Sequence, residues 1–140
     1  MALAAVLWST AGIQAQPATT YKARLSTVPI DLTLAAIIAG SGSVTATLTG
    51  NTLTVSGTFE GLKSLSTMAQ IRKGRPGVRG PAILDLKTTG GTSGTISAAL
   101  DLTPEQAADL QKGWLYVQLH SEKAPDGNLW GWLALQENRR

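Results

Sequence analysis

Residues 44–59 read VTATLTGNTLTVSGTF. Val44, Ala46 and Leu48 alternate with threonines, Gly50-Asn51 interrupts them, and Leu53, Val55, Gly57 and Phe59 resume the alternation. Successive side chains on a strand point to opposite faces, so each half carries one apolar and one polar face. Gly and Asn accept the positive φ that a tight two-residue turn demands, so the stretch reads as a β-hairpin.

Outward from this hairpin the chain continues as short strands. Residues 21–25 alternate apolar and charged positions, and Val28-Pro29 ends that run. Residues 32–39 are apolar and fit either a buried strand or a helical turn; Thr33, Ile37 and Ile38 favour the strand. Residues 65–72 and 81–87 flank a Gly- and Arg-rich loop, and residues 92–100 form an alternating strand entered through Gly90-Gly91. One helix is marked by a capping box: Thr103 caps, Pro104 takes the first helical position, Gln106 completes the box and Gly113 ends it. Ala107 and Leu110 then face the sheet. Residues 114–120 and 128–135 read as two closing strands around the turn Ala124-Pro125-Asp126-Gly127. Short strands at this spacing, without internal repeat, predict one all-β sandwich or barrel domain with one short helix.

Composition agrees with that class. Of 140 residues, 43% are hydrophobic and 15% charged, which is enough to bury a core. The absence of cysteine excludes disulfides, thiolate metal sites and cysteine nucleophiles. The formal charge of +3 is mild and concentrates in Lys63, Arg72, Lys73, Arg75 and Arg79, below the density expected of a nucleic-acid binder. Residues 1–15 hold an apolar run, MALAAVLWSTAGI, too short to cross a bilayer and similar to a secretory signal core, with Ala15 as cleavage point. If the segment is retained, Leu3, Val6, Leu7 and Trp8 need an apolar surface such as a partner subunit or a lipid. Residues 16–20 read as a linker, 21–135 as the β domain and 136–140 as a polar tail.

Four stretches, in order, resemble the chordin-type (CHRD) domain: Tyr21-Lys22-Ala23-Arg24-Leu25 with Val28-Pro29; Gly74-Arg75-Pro76-Gly77-Val78-Arg79-Gly80-Pro81; Leu102-Thr103-Pro104 through Gly113-Trp114-Leu115-Tyr116-Val117; and Asp126-Gly127-Asn128-Leu129-Trp130-Gly131. The resemblance implies an immunoglobulin-like Greek-key sandwich or barrel, distantly like copper/zinc superoxide dismutase, in a periplasmic or extracellular setting. It implies no chemistry. Where the family often carries a His-x-His pair, this chain has Gln70 and Arg72. Where the family has Arg and Gln around the last glycine, this chain has Trp130 and Trp132. Only His120 matches the family's histidines.

Chemistry-bearing residues are correspondingly sparse. One histidine and no cysteine cannot build a dismutase-like copper or zinc site. Asp101, Glu105, Asp109, Glu122 and Asp126 lack the spacing of a calcium loop. His120 and Ser121 are adjacent on a strand and so face opposite ways, and no nucleophile elbow is present. His120 therefore reads as a strand residue with a satisfied ring. No catalytic residue and no cofactor is expected.

Two features point to binding. Arg72, Lys73, Arg75 and Arg79 form a basic loop with no acid among them, fit for an anion, an acidic glycan or an acidic partner, or else simply solvated. On the closing strands Trp130 and Trp132 share a face, as do Trp114, Tyr116, Gln118 and His120. If these strands lie beside that of Gln70 and Arg72, one face gathers Trp, Tyr, His and Arg, while Leu115, Val117, Leu119, Leu129, Leu133 and Leu135 fill the core. Either the tryptophans are exposed interface anchors or loops of the same chain cover them. The sequence thus predicts a non-catalytic extracytoplasmic domain that docks on a protein partner, as an accessory or structural subunit of a larger envelope complex, of which a membrane-associated complex is one form. Its expected contacts are Trp130, Trp132, Tyr116, His120 and Arg72, the basic loop, and Trp8. The alternative is a carbohydrate- or anion-binding module in which parallel tryptophans stack on sugars.

Overall fold

The computed structural model describes residues 17–29 and 32–136. Its nine strands are β1 (Ala18–Thr27), β2 (Ser41–Thr49), β3 (Thr52–Glu60), β4 (Ser66–Lys73), β5 (Ala82–Thr88), β6 (Gly94–Asp101), β7 (Leu115–Ser121), β8 (Leu129–Trp132) and β9 (Ala134–Leu135), with helix α1 (Pro104–Gln111) between β6 and β7. The β2–β3 hairpin pairs Thr49 with Thr52, Leu48 with Leu53 and Val44 with Gly57. Val44, Ala46, Leu48, Leu53, Val55 and Phe59 are buried and the intervening threonines line the outside. Only Gly50 of the turn takes a positive φ, 60°, and Asn51 does not, which is the pattern of a II′ turn.

Strand order runs β1-β2-β3-β6-β5-β4-β7-β8 and returns to β1. This is a closed eight-stranded antiparallel barrel, not two separate sheets. Two overlapping Greek keys, β3-β6-β5-β4 and β6-β5-β4-β7, build it. Closure falls on β1, which pairs with β2 through residues 18–25 and with β8 through Ser26 and Thr27. The barrel interior holds Tyr21, Leu25, Leu53, Ile71, Ile96, Leu115, Leu119, Leu129 and Leu133. Helix α1 closes one end with Leu110 and Ala107. Its capping box forms as the sequence predicts: Gln106 N donates to Thr103 Oγ1 at 3.1 Å and Thr103 N to Gln106 Oε1 at 3.0 Å. Gly113 follows with φ 77°.

Three expectations are corrected. Residues 32–39 are no strand: residues 32–37 turn, and the amides of Ile37 and Ile38 both donate to Leu34 O. Because β1 already pairs with β2 directly, this segment is their connection, and Leu32 is 96% exposed. Leu34, Ile37 and Ile38, at i, i+3 and i+4 spacing, instead pack outside the barrel with Val28, Ala124 and Trp130. The stretch read as a linker enters β1 at Ala18, which pairs with Thr49. Leu135, expected in the core, is 51% exposed. The strand breaks at Leu133, whose amide donates to Leu115 O, and β9 beyond it pairs only with β1.

Candidate binding surface

β7 is buried along both faces. Its inner side chains, Leu115, Val117 and Leu119, belong to the barrel core. On the outer face the register sets Tyr116 between Arg72 and Trp132, and Gln118 between Gln70 and Trp130, with Met68 opposite His120. The expected gathering of Trp, Tyr, His and Arg on one face therefore exists. The rings touch: Tyr116 and Trp132 centroids lie 4.5 Å apart, Trp130 and Trp132 4.8 Å apart at 70°, and Tyr116 and Trp130 5.9 Å apart at 84°. Edge-to-face contacts of this kind add about 0.5–1.5 kcal/mol beyond the area they bury.

That face is covered by the chain itself. Residues 74–81 fold over the aromatic cluster and are tied to it at several points. Trp132 Nε1 donates to Gly74 O at 2.9 Å. The Gly80 amide donates to the Tyr116 hydroxyl at 2.8 Å, and that hydroxyl donates to Gly80 O at 3.3 Å. Arg72 Nε donates to the same Gly80 carbonyl at 2.8 Å. Both ends of the loop require glycine, because a Cβ would stand 2.2 Å from Val78 O at Gly74 and 1.6 Å from Lys73 O at Gly80. Tyr116 is consequently fully buried, and Trp130 and Trp132 are half-buried. Neither an exposed pair of indoles nor a parallel stacking platform for a sugar is present. Tyr116, Arg72, Trp130 and Trp132 instead contact and anchor the basic loop.

The four loop cations part company. Lys73 is engaged by two acids that lie far away in sequence, Asp109 at 2.9 Å and Glu105 at 3.5 Å on α1. The hydrogen bond to the Asp109 carboxylate holds the Lys73 ammonium above its ordinary pKa. Arg72 is spent on Gly80 and on Gln70 Oε1, 3.2 Å away. Arg75 and Arg79 remain exposed. The Arg75 guanidinium sits 5.2 Å from the Trp114 ring, which Lys112 also approaches at 4.7 Å, and that of Arg79 sits 5.8 Å from Trp130. Between them Val78, whose amide closes the turn onto Arg75 O, is 56% exposed. The surface offered to solvent is thus residues 75–79, with Arg75, Val78 and Arg79 as its large side chains.

A second loop, between β7 and β8, covers Gln118 and His120, while Met68 stays 48% exposed. Gln118 Nε2 donates to Asp126 O at 2.8 Å, and His120 Nδ1 lies 2.7 Å from Pro125 O. A carbonyl only accepts, so Nδ1 carries the ring proton. Nε2 is buried with no partner, so the ring is half satisfied where the sequence implied full satisfaction. Burial lowers the His120 pKa, and the charges of Arg72 and Arg79 act in the same direction.

Sequence reasoning missed a pocket of 170 Å³ beside this loop. Val28, Ile37, Ile38 and Ala124 form its apolar floor, and Arg79 and Lys123 line it as well. The signal was the spacing of Leu34, Ile37 and Ile38, which the strand reading obscured. Among the described residues no group of three His, Asp or Glu side chains stands together, and no helix is long and apolar enough to cross a membrane. Trp8 and the whole of residues 1–15 lie outside the described residues.

The model of the CHRD domain family matches residues 22–133. No curated protein and no solved structure matches the chain.

Proposed function

Because the chain belongs to the CHRD domain family, we propose that it is a non-catalytic, extracytoplasmic binding domain that docks on another protein through its 74–81 loop. In this reading it serves as an accessory or structural subunit of a larger envelope complex. The observation that carries the proposal is the loop's anchoring by hydrogen bonds to Arg72, Tyr116 and Trp132. Tyr116, Trp132 and Arg72 fix its backbone while Arg75, Val78 and Arg79 face outward. A surface already held in its binding conformation avoids the ordering cost of roughly 0.5–1.5 kcal/mol per immobilised side chain. Two exposed arginines flanking the exposed Val78 match the composition of interface anchors, and their charge speeds encounter with an acidic partner. The edge-to-face indoles give no support to the carbohydrate alternative.

A photo-crosslinking residue at the Val78 position, in cells that naturally express the protein, tests this reading. The expected result is one adduct of discrete mass with a second protein. It should disappear in the Arg75→Glu/Arg79→Glu variant, whose fold is verified by circular dichroism. Absence of any discrete adduct from correctly folded protein removes the proposal.

A further inference from the structure

We propose that the pocket between the 34–38 turn and the 124–127 turn captures the carboxyl terminus of a peptide chain, with the last apolar side chain inside and the free carboxylate between Arg79 and Lys123. The inference rests on the docking reading above and names the part of the partner that is gripped. At 170 Å³ the pocket is smaller than the roughly 300–1,000 Å³ of sites that enclose whole small molecules, and it suits a single side chain. Its floor of Val28, Ile37, Ile38 and Ala124 is aliphatic.

Charge selects the second half of the ligand. Arg79 spends only Nη1, on Asp126 O at 3.4 Å, and is steadied by the face of Trp130. Four of the five guanidinium N–H groups remain for a ligand. The Lys123 ammonium has no hydrogen bond or ion pair among the described residues; only its backbone amide is used, on Ser64 Oγ. Among the described residues Asp126 is the one acid lining the pocket, beside the two cations Arg79 and Lys123, so the described lining carries a single net positive charge. That balance matches one carboxylate better than a doubly charged phosphate. In a chain terminus the carboxylate and the side chain leave the same Cα, so one residue serves floor and rim together. The wall is prebuilt, since His120 and Gln118 hold the carbonyls of Pro125 and Asp126.

The test is a calorimetric titration of the full chain with an N-acetylated tetrapeptide ending in leucine. It is run as free acid and as C-terminal amide, beside 4-methylpentanoate, with wild type and Lys123→Ala. The free-acid peptide is expected to saturate one site, and the amide to bind about tenfold more weakly, the worth of one charge-assisted hydrogen bond. Lys123→Ala, a surface change, should narrow the gap between acid and amide, leaving the part that Arg79 holds. Equal binding of acid and amide, or no binding, overturns the site. Binding of 4-methylpentanoate as tight as the peptide overturns the peptide assignment in favour of a free aliphatic acid. A Val78 adduct that persists while no peptide binds defeats this inference alone. Peptide binding without any adduct defeats the docking reading alone.

Discussion

His120 is neutral and cationic at very different cost. In the neutral ring Nδ1–H meets Pro125 O, and the lone pair on Nε2 faces no donor. Protonation would place a second N–H, and a charge, in a site that is 6% exposed and acted on by Arg72 and Arg79, with only Asp126 and the Pro125 bond in favour. The folded pKa therefore lies below the ordinary 6.5, while the unfolded chain titrates near it. As pH falls through 6.5, the unfolded state takes up a proton that the native state refuses, so stability is full above that value and declines below it. Between about pH 7.5 and pH 5.5 the urea midpoint of the wild type should fall, since histidine is the side chain that ordinarily titrates there. In His120→Asn, whose amide keeps a donor for Pro125 O without a titrating ring, it should stay level. A wild-type midpoint as level as that of the variant would sink the argument. The sequence showed a lone strand histidine and no more, because its burial depends on a loop that pairing cannot reveal.

At the scale of elements, legibility follows how local the determinants are. The β2–β3 hairpin and the α1 capping box are written within stretches of about a dozen residues, and both form as read. The 32–39 segment was ambiguous because a short apolar run fits either period. What settles it is that β1 and β2 pair across it, a fact outside the segment. The covered face of β7 was undecidable for the same reason: Gly80 and Tyr116, which seal it, are 36 residues apart. The basic loop looked free of acids because Asp109 comes from α1, on a different element. This contact is the latch between α1 and the loop. The Asp109 side chain is 6% exposed, so losing Lys73 strands a buried carboxylate. Lys73→Met should lower the thermal midpoint more than the double change Lys73→Met/Asp109→Leu, which removes the orphaned charge as well. It should also increase hydrogen exchange at the amides of Gly74 and Val78. A double variant less stable than the single one would show that Asp109 is not left as an orphaned charge when Lys73 is lost, and would overturn the argument.

For the whole molecule, closure is the governing fact. Each of the eight barrel strands has a neighbour on both sides, although β5 and β6 meet only through Lys87 and Thr88. Closure also ties the two ends of the described chain together, since β1 is sealed by β8 and β9. Removing residues 129–140 would delete two barrel strand partners at once, those of β7 and of β1. It would also take Leu129 and Leu133 from the core and Trp130 and Trp132 from above Tyr116. Losing a buried leucine costs about 2–5 kcal/mol, and a domain holds only about 5–15 kcal/mol in reserve. The chain ending at Asn128 should therefore show no cooperative thermal transition by circular dichroism. A synthetic peptide of residues 129–140, mixed with it, should restore one, because the missing strands can pair from a second molecule as they do within one. A truncated chain that melts cooperatively near the full-length midpoint would mean that the barrel does not depend on its seam. The 74–81 loop would then draw its rigidity from Tyr116 and Arg72 alone.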